Sequence, residues 1–145
     1  MIAVVADASV IVKWALPVRH DEPDASIALD LLRAVQGGRL ELIQPPHWLA
    51  EVAGVLVRLS PATARADIAS LCEMEIPVAD SPEIYLTACA LAVELHHHLF
   101  DTLYHAVALH HTGSVFITAD ERYFRKAKRR GRIRLLGDAR AIVDR

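Results

Sequence analysis

The strongest constraint on the fold is a run of five apolar residues at positions 2–6 that ends directly in a charged residue, Asp7. A continuous Val- and Ile-rich run of this length is typical of a strand buried on both faces. Similar short runs follow at residues 40–43, 76–79, 115–118 and 133–136. The segments between them have apolar residues at helical spacing, over residues 25–35, 47–59, 62–73, 83–95, 101–111 and 121–129. This alternation predicts an α/β/α sandwich, with a mostly parallel central sheet of about five strands.

The length of 145 residues predicts one domain, 1–145, and its 53% hydrophobic content excludes a disordered chain. The uncharged stretch at residues 84–93 is half of the roughly 20 residues that a membrane-spanning helix needs. The N-terminus does not resemble a signal peptide, because Asp7 interrupts its apolar run. Cys72 and Cys89 have no CxxC spacing and are interpreted as reduced core residues. We therefore expect a cytoplasmic protein without a membrane span.

The net charge of −2 hides an uneven distribution. Residues 1–119 contain six Lys and Arg against fourteen Asp and Glu, whereas residues 120–145 contain ten against four. Seven of the ten residues at 125–134 are basic. This run either binds a polyanion such as RNA or forms a solvated helix end and edge strand. The candidate RNA-binding residues are Arg125, Lys126, Lys128, Arg129 and Arg130.

Three aspartates stand at the starts of predicted helices. Asp7 follows the first strand, Asp120 follows the strand at 115–118, and Asp101 begins a helix. Aspartate is a favoured helix N-cap, so each of them has a purely structural interpretation. The helix dipole also keeps such a carboxylate ionised, which is the state that a hard cation requires. Capping and metal binding are therefore compatible.

Glu51 lies in a helix that is apolar nearly all the way round. A buried carboxylate is costly without a cation or a donor, although His47 and Arg58 also allow a polar stripe facing solvent. Ligands of parallel sheets bind beyond the carboxyl ends of the strands, where clustered carboxylates repel one another unless a divalent ion intervenes. Mg²⁺ or Mn²⁺ held there activates water, and phosphodiester hydrolysis is the reaction best served.

Four segments resemble, in order and separation, the motifs of the PIN domain, and more narrowly those of the VapC toxins of toxin–antitoxin pairs. They are DASV at residues 7–10, the helix of Glu51, FDTLYHAVAL at 100–109 and FITADERYF at 116–124. The resemblance covers nearly the whole chain. It implies an Mg²⁺- or Mn²⁺-dependent endoribonuclease, the toxin of a type II pair, which a VapB-like antitoxin restrains. It also implies a homodimer or a toxin–antitoxin hetero-oligomer.

The resemblance assigns metal binding and catalysis to four carboxylates, those of Asp7, Glu51, Asp101 and Asp120. Glu51 would bind the metal directly or through water. The hydroxyls of Ser9 and Thr118 would steady the neighbouring carboxylates or the scissile phosphate. Some relatives carry a further acidic residue where this chain has Arg122 and Tyr123, so the number of metals, one or two, stays open.

Histidines are weaker candidates. The clusters at 96–98 and 110–111 lack zinc-binding spacing, because consecutive histidines on a helix point in different directions, and we interpret them as solvated helix ends. His105 is predicted to be a packing residue, with a hydrogen bond to a ligand as the alternative. Trp14 and Trp48 are interpreted as core or interface anchors. Apolar residues at 10–16, 25–35 and in the Glu51 helix either form a groove for the antitoxin or fill the core.

Two other classes of function remain possible from the residues. A catalytically silent PIN-like module that binds RNA or protein would use the same scaffold without its chemistry. A phosphotransfer or phosphatase domain also places an aspartate after its first strand, but Ser9 stands where the second aspartate of a DxD motif belongs. No GxxxxGK[ST] loop is present for a nucleotide.

Overall fold

The computed structural model describes residues 1–16 and 23–145. Its strands are β1 (Ala3–Ala6), β2 (Glu41–Leu42), β3 (Ser114–Thr118) and β4 (Ile133–Leu135). Its helices are α1 (Ala8–Ala15), α2 (Pro23–Gln36), α3 (Trp48–Leu59), α4 (Ala64–Glu73), α5 (Pro82–Leu95), α6 (Leu99–His110), α7 (Glu121–Ala127) and α8 (Arg140–Val143). None of the helices in these two ranges is long and apolar enough to cross a membrane.

The strands form one parallel sheet in the order β2-β1-β3-β4. β1 is completely buried, which agrees with the continuous apolar run that predicted it. Helices flank the sheet, and α6 packs against β1, β3 and α5. The predicted α/β fold with a parallel sheet is therefore confirmed.

The prediction of a fifth strand was wrong for the described residues. Residues 76–79 make only an isolated parallel bridge, between Gln44 and Val78. The Gln44 N–H donates to the Pro77 carbonyl at 3.0 Å, and the Ala79 N–H donates to the Gln44 carbonyl at 2.9 Å, so this one bridge is complete. A longer parallel ladder would need the N–H groups of residues 46 and 77, and both residues are prolines without an N–H, so the pairing cannot extend in either direction.

The side chain of Gln44 continues the pairing of β2 with the end of β1. Its Oε1 accepts from the Ala6 N–H and its Nε2 donates to the Ala6 carbonyl, both at 2.8 Å. Gln44 is fully buried, so both ends of its amide are satisfied in the interior. This brace fixes the backbone immediately before Asp7.

The two cysteines are free, as predicted, but they are not core residues. Cys72 on α4 and Cys89 on α5 are both exposed. Cys89 shares the outer face of α5 with Leu86 and Val93, which are 70% and 71% exposed. For Cys89, sequence periodicity overestimated the burial because α5 is apolar on both faces.

Candidate active site

Asp7 lies at the carboxyl end of β1 and caps α1. Its Oδ2 accepts from the Ser9 hydroxyl at 2.5 Å, from the Ser9 N–H at 3.3 Å and from the Thr118 hydroxyl at 3.3 Å. Burial raises the pKa of Asp7, and Asp101 raises it further, while the bonds from Ser9 and Thr118 oppose the increase. The structure thus places both predicted hydroxyls on one buried carboxylate.

Asp120 lies just beyond the carboxyl end of the neighbouring strand, β3, and caps α7. Its Oδ1 accepts from the Tyr123 N–H at 3.1 Å, and its own N–H donates to Thr118 Oγ1 at 3.0 Å. Thr118 therefore links Asp120 to Asp7. The N-cap interpretation and a position at the sheet edge both hold for these two aspartates.

Asp101, in the first turn of α6, joins the predicted carboxylates into one cluster. One oxygen each of Asp7, Glu51 and Asp101 lie within 4.8 Å of one another. A second group with the same spacing consists of Asp101, Asp120 and His97. All four predicted carboxylates therefore converge around Asp101, at the edge where β1 and β3 end.

Glu51 points into this cluster from α3. The Tyr104 hydroxyl donates to its Oε1 at 3.2 Å. Burial raises the pKa of Glu51 to about 7, and the charges of Asp7 and Asp101 contribute to the increase. Mutual repulsion of this kind is what a bound cation would relieve.

The alternative of a solvent-facing polar stripe does not describe Glu51. Its neighbour His47 is 3.6 Å from Oε2, but the His47 Nε2–H donates to the carbonyl of Phe100 at 2.8 Å. Burial lowers the pKa of His47, so the uncharged ring borders the site and does not act as a counter-ion for Glu51. Arg58 is exposed. Because His47 also stacks on Phe100, with centroids 5.3 Å apart, it fixes the start of α6 against α3.

His97 is the residue that sequence reasoning missed. The prediction of solvated histidines fits the exposed His96 and His98, but the side chain of His97 is only 9% exposed. Its Nε2–H donates to Asp101 Oδ2 at 2.9 Å, and Lys126 Nζ donates to its Nδ1 at 3.3 Å. His96 adopts a left-handed conformation at φ 51°, and this turn between α5 and α6 brings His97 to the cluster. The only sequence signal was the separation of four residues between His97 and Asp101.

His105 is the packing residue that was predicted. It is fully buried, its Nε2–H donates to the carbonyl of Gly131 at 2.8 Å, and the Tyr123 hydroxyl donates to its Nδ1 at 2.9 Å. Burial lowers the pKa of His105. Both ring nitrogens are thus used inside the protein, and neither faces a ligand.

The basic run divides into residues with different surroundings. Lys126 reaches the site region, because its Nζ contacts His97 and donates to the carbonyl of His96 at 3.1 Å. Arg130 forms an ion pair with Glu94 on α5. The remaining three candidates have exposed side chains: Arg125, Lys128 and Arg129.

The PIN domain family matches residues 4–129, and the chain belongs to this family. The match covers all of β1 except Ala3, the whole carboxylate cluster and α7. PIN domains are typically metal-dependent nucleases, and membership suggests RNA as the bound polymer. A comparison with curated proteins gave no match.

The donors present fit a divalent cation. Carboxylate oxygens suit Mg²⁺ and Mn²⁺, and a cation would offset the burial and the mutual repulsion that raise the pKa values of Asp7 and Glu51. Asp7, Glu51 and Asp101 would hold an ion by oxygen alone. In the second group the His97 Nε2–H donates to Asp101, so His97 positions this carboxylate, and Asp101 and Asp120 supply the oxygen donors.

Proposed function

We propose that this protein is an Mg²⁺- or Mn²⁺-dependent endoribonuclease that hydrolyses RNA phosphodiester bonds, acting in the cytoplasm as a VapC-like toxin of a type II toxin–antitoxin pair. The observation that carries the proposal is the convergence of four carboxylates around Asp101, within a chain of the PIN family. The proposed unit is one domain, 1–145. Val143 of α8 is part of its core, which supports a domain that continues beyond the family match.

In this proposal the residues of the cluster have distinct roles. Asp7, Asp101 and Asp120 ligate metal directly, and Glu51 binds it directly or through water. When bound, the ion supplies a Lewis acid and an activated water for attack on phosphorus. Ser9 holds Asp7 in place, since its hydroxyl donates to Asp7 Oδ2 and its Oγ accepts from the Ala119 N–H at 3.1 Å.

The basic run supplies affinity for the RNA backbone, through Arg125, Lys126, Lys128, Arg129 and Arg130. Arg125 and Lys126 lie on α7, which Asp120 caps, and the other three cations form the 3-10 turn that follows this helix. Phosphate contacts of this kind position the RNA without reading its sequence.

An antitoxin surface is supported by a cavity of about 250 Å³ between α1, α2 and α4. Its lining includes Trp14, Leu32 and Asp67, and among the described residues neither Trp14 Nε1 nor Asp67 Oδ2 has a hydrogen-bond partner. Part of the predicted groove fills the core instead, as Val10 and Ile11 are buried. We propose that a VapB-like chain occupies the cavity that remains. Copurification from the host tests this: a lone, fully active monomer would contradict it.

The decisive assay for the activity uses a pool of total RNA with Mg²⁺, with Mn²⁺ and with EDTA. We expect cleavage with either metal, and none in EDTA or with Asp101→Asn. Asp138→Asn makes the same chemical change at an exposed position outside the cluster and should cleave as the wild type does. Binding of RNA with no cleavage under any metal would replace the proposal with a catalytically silent RNA-binding module.

A further inference from the structure

A cationic cavity adjoins the carboxylate cluster, and the proposed metal chemistry does not use it. Its volume is about 350 Å³, and it lies between the C-terminal end of α5, the turn after it and α7. The described residues lining it are Ala92, His96, His97, His98, Arg122 and Lys126. None of these is acidic, and two carry a permanent positive charge.

One imidazole ring separates the cavity from the carboxylates. Lys126 Nζ donates to His97 Nδ1 at 3.3 Å, and the opposite ring nitrogen, Nε2, donates to Asp101 Oδ2 at 2.9 Å. Because Nδ1 accepts from an ammonium group, the ring proton sits on Nε2 and faces Asp101. A ligand in the cavity and one at the carboxylates would therefore be close neighbours.

The charge in the cavity is not neutralised by the protein. Lys126 uses two of the three donors of its ammonium group, on His97 and on the carbonyl of His96. Over residues 1–16 and 23–145, no carboxylate forms an ion pair with Arg122 or with Lys126. Arg130, by contrast, pairs with Glu94 and is already compensated. The cavity thus retains donors and charge for an anion.

We propose that this cavity binds a phosphate group of the RNA chain next to the bond that is cut, with Arg122 and Lys126 donating to its oxygens. This rests on the proposed ribonuclease function. The planar guanidinium of Arg122 matches two phosphate oxygens, and Lys126 adds a point charge. Since the carboxylates repel RNA, a neighbouring attractive cavity fixes which phosphodiester lies beside them.

The first test measures binding and needs no activity. Anisotropy is recorded in EDTA with a labelled, mixed-sequence RNA of ten nucleotides. Arg122→Ala should weaken binding about tenfold, because the charge-assisted contact of the guanidinium is lost. It should also lower the slope of log K against log salt by about 0.7, the value for one phosphate of a single strand. Arg122→Lys should retain the slope. Arg65→Ala removes an exposed arginine from α4, outside the cavity, and should leave both quantities unchanged.

The same RNA with a 5′-hydroxyl or a 5′-phosphate distinguishes the two sources of the phosphate. Equal losses on both RNAs assign an internal diester to the cavity, whereas a loss confined to the phosphorylated RNA assigns a terminal monoester. Equal behaviour of Arg122→Ala and Arg65→Ala overturns the proposal. Thermal unfolding of each variant verifies that the fold is retained.

The second test uses an RNA that the wild type cleaves in Mn²⁺. Single neutral methylphosphonate linkages are placed one at a time around the cut. At one linkage the neutral group and Arg122→Ala should be non-additive, because each removes the same contact. If the losses in cleavage rate from the neutral linkage and from Arg122→Ala are additive at every linkage, the phosphate-binding role of the cavity is refuted, while the ribonuclease activity stands. If no RNA is cleaved but binding in the first test still depends on Arg122, the cavity is retained as a phosphate-binding site and the proposed ribonuclease activity is refuted.

Discussion

Replacing Glu51 by Gln removes one negative charge from the cluster while keeping the shape of the side chain. The Tyr104 hydroxyl can still donate to the amide oxygen, as it does to Glu51 Oε1 at 3.2 Å. The carboxyl pKa of Glu51 is raised from 4.5 to about 7 in the folded protein, chiefly by burial and then by Asp7 and Asp101. The folded state therefore keeps a proton that the unfolded chain has already released.

The sign of the effect follows from linkage. A folded pKa above the unfolded value gives stability that is fully present below pH 4.5 and is lost as the pH rises through about 7. At about 1.4 kcal/mol per pKa unit the full loss is about 3 kcal/mol. The side chain of Glu51 is 26% exposed, so solvent screening reduces this to about 2 kcal/mol. Without metal, the stability advantage of Glu51→Gln over the wild type should therefore grow by about 2 kcal/mol between pH 5 and pH 8.

The assay is urea unfolding in EDTA at pH 5, 6, 7 and 8, with the free energy of unfolding compared between the two proteins. His47 and His105 act oppositely, because burial lowers their pKa values and their stabilisation is lost as the pH falls. Both proteins contain them, so the difference isolates Glu51. Glu73→Gln, at an exposed position on α4, serves as the control. Its free energy of unfolding should differ from that of the wild type by the same amount at every pH.

Two results would refute the reasoning. A constant difference between Glu51→Gln and the wild type from pH 5 to pH 8 would mean that Glu51 is not held at a raised pKa. A variant less stable than the wild type at pH 8 would mean that the carboxylate contributes a favourable interaction in the metal-free protein. Added Mn²⁺ at pH 8 should narrow the difference, since a cation stabilises the wild-type cluster more.

Three further outcomes are expected. Asp7→Asn and Asp120→Asn should each abolish RNA cleavage in Mn²⁺ and leave unfolding in EDTA unchanged or shifted to higher urea; an active variant removes its residue from the site. Ser9→Ala removes the donor 2.5 Å from Asp7 Oδ2 and raises the Asp7 pKa further, so calorimetric Mn²⁺ affinity should fall more at pH 6 than at pH 8, and equal losses would contradict this. Replacing Arg129 and Arg130 by Ala should weaken RNA binding and flatten its salt dependence, with a much smaller change in the single-turnover rate; an unaltered slope would leave these residues as a solvated surface.

The strands and helices could be predicted because buried strands and half-buried helices each have a characteristic spacing of apolar residues along the chain. The apolar run at residues 2–6 is typical of a strand buried on both faces, and all four residues of β1 are buried. Residues 76–79 have the same apolar character but form a single bridge, because Pro46 and Pro77 cannot donate the next bonds of a ladder. Without a ladder the segment is not fully buried either, since Val78 is 48% exposed, so an apolar run alone does not predict a buried strand.

The carboxylates were readable for a similar reason. Asp7 and Asp120 follow strands directly, and parallel strands bring their carboxyl ends to one edge of a sheet. Glu51 was identified because its helix is apolar, and a carboxylate in such surroundings needs a cation or a hydrogen-bond donor. The direction of its side chain, toward Asp7 and Asp101, is visible only in the fold.

The sequence by itself determined a parallel α/β domain with acidic residues at the strand ends, because periodicity and helix capping are local properties of the chain. Only the tertiary structure decided that His97 faces Asp101, that Gln44 completes the edge of β1, and that Arg122 and Lys126 line one cavity. These contacts join residues from different elements, or across a turn whose direction is set by the packing of α5 against α6. Side-chain direction at such places depends on packing over the whole domain, and no spacing along the chain encodes it.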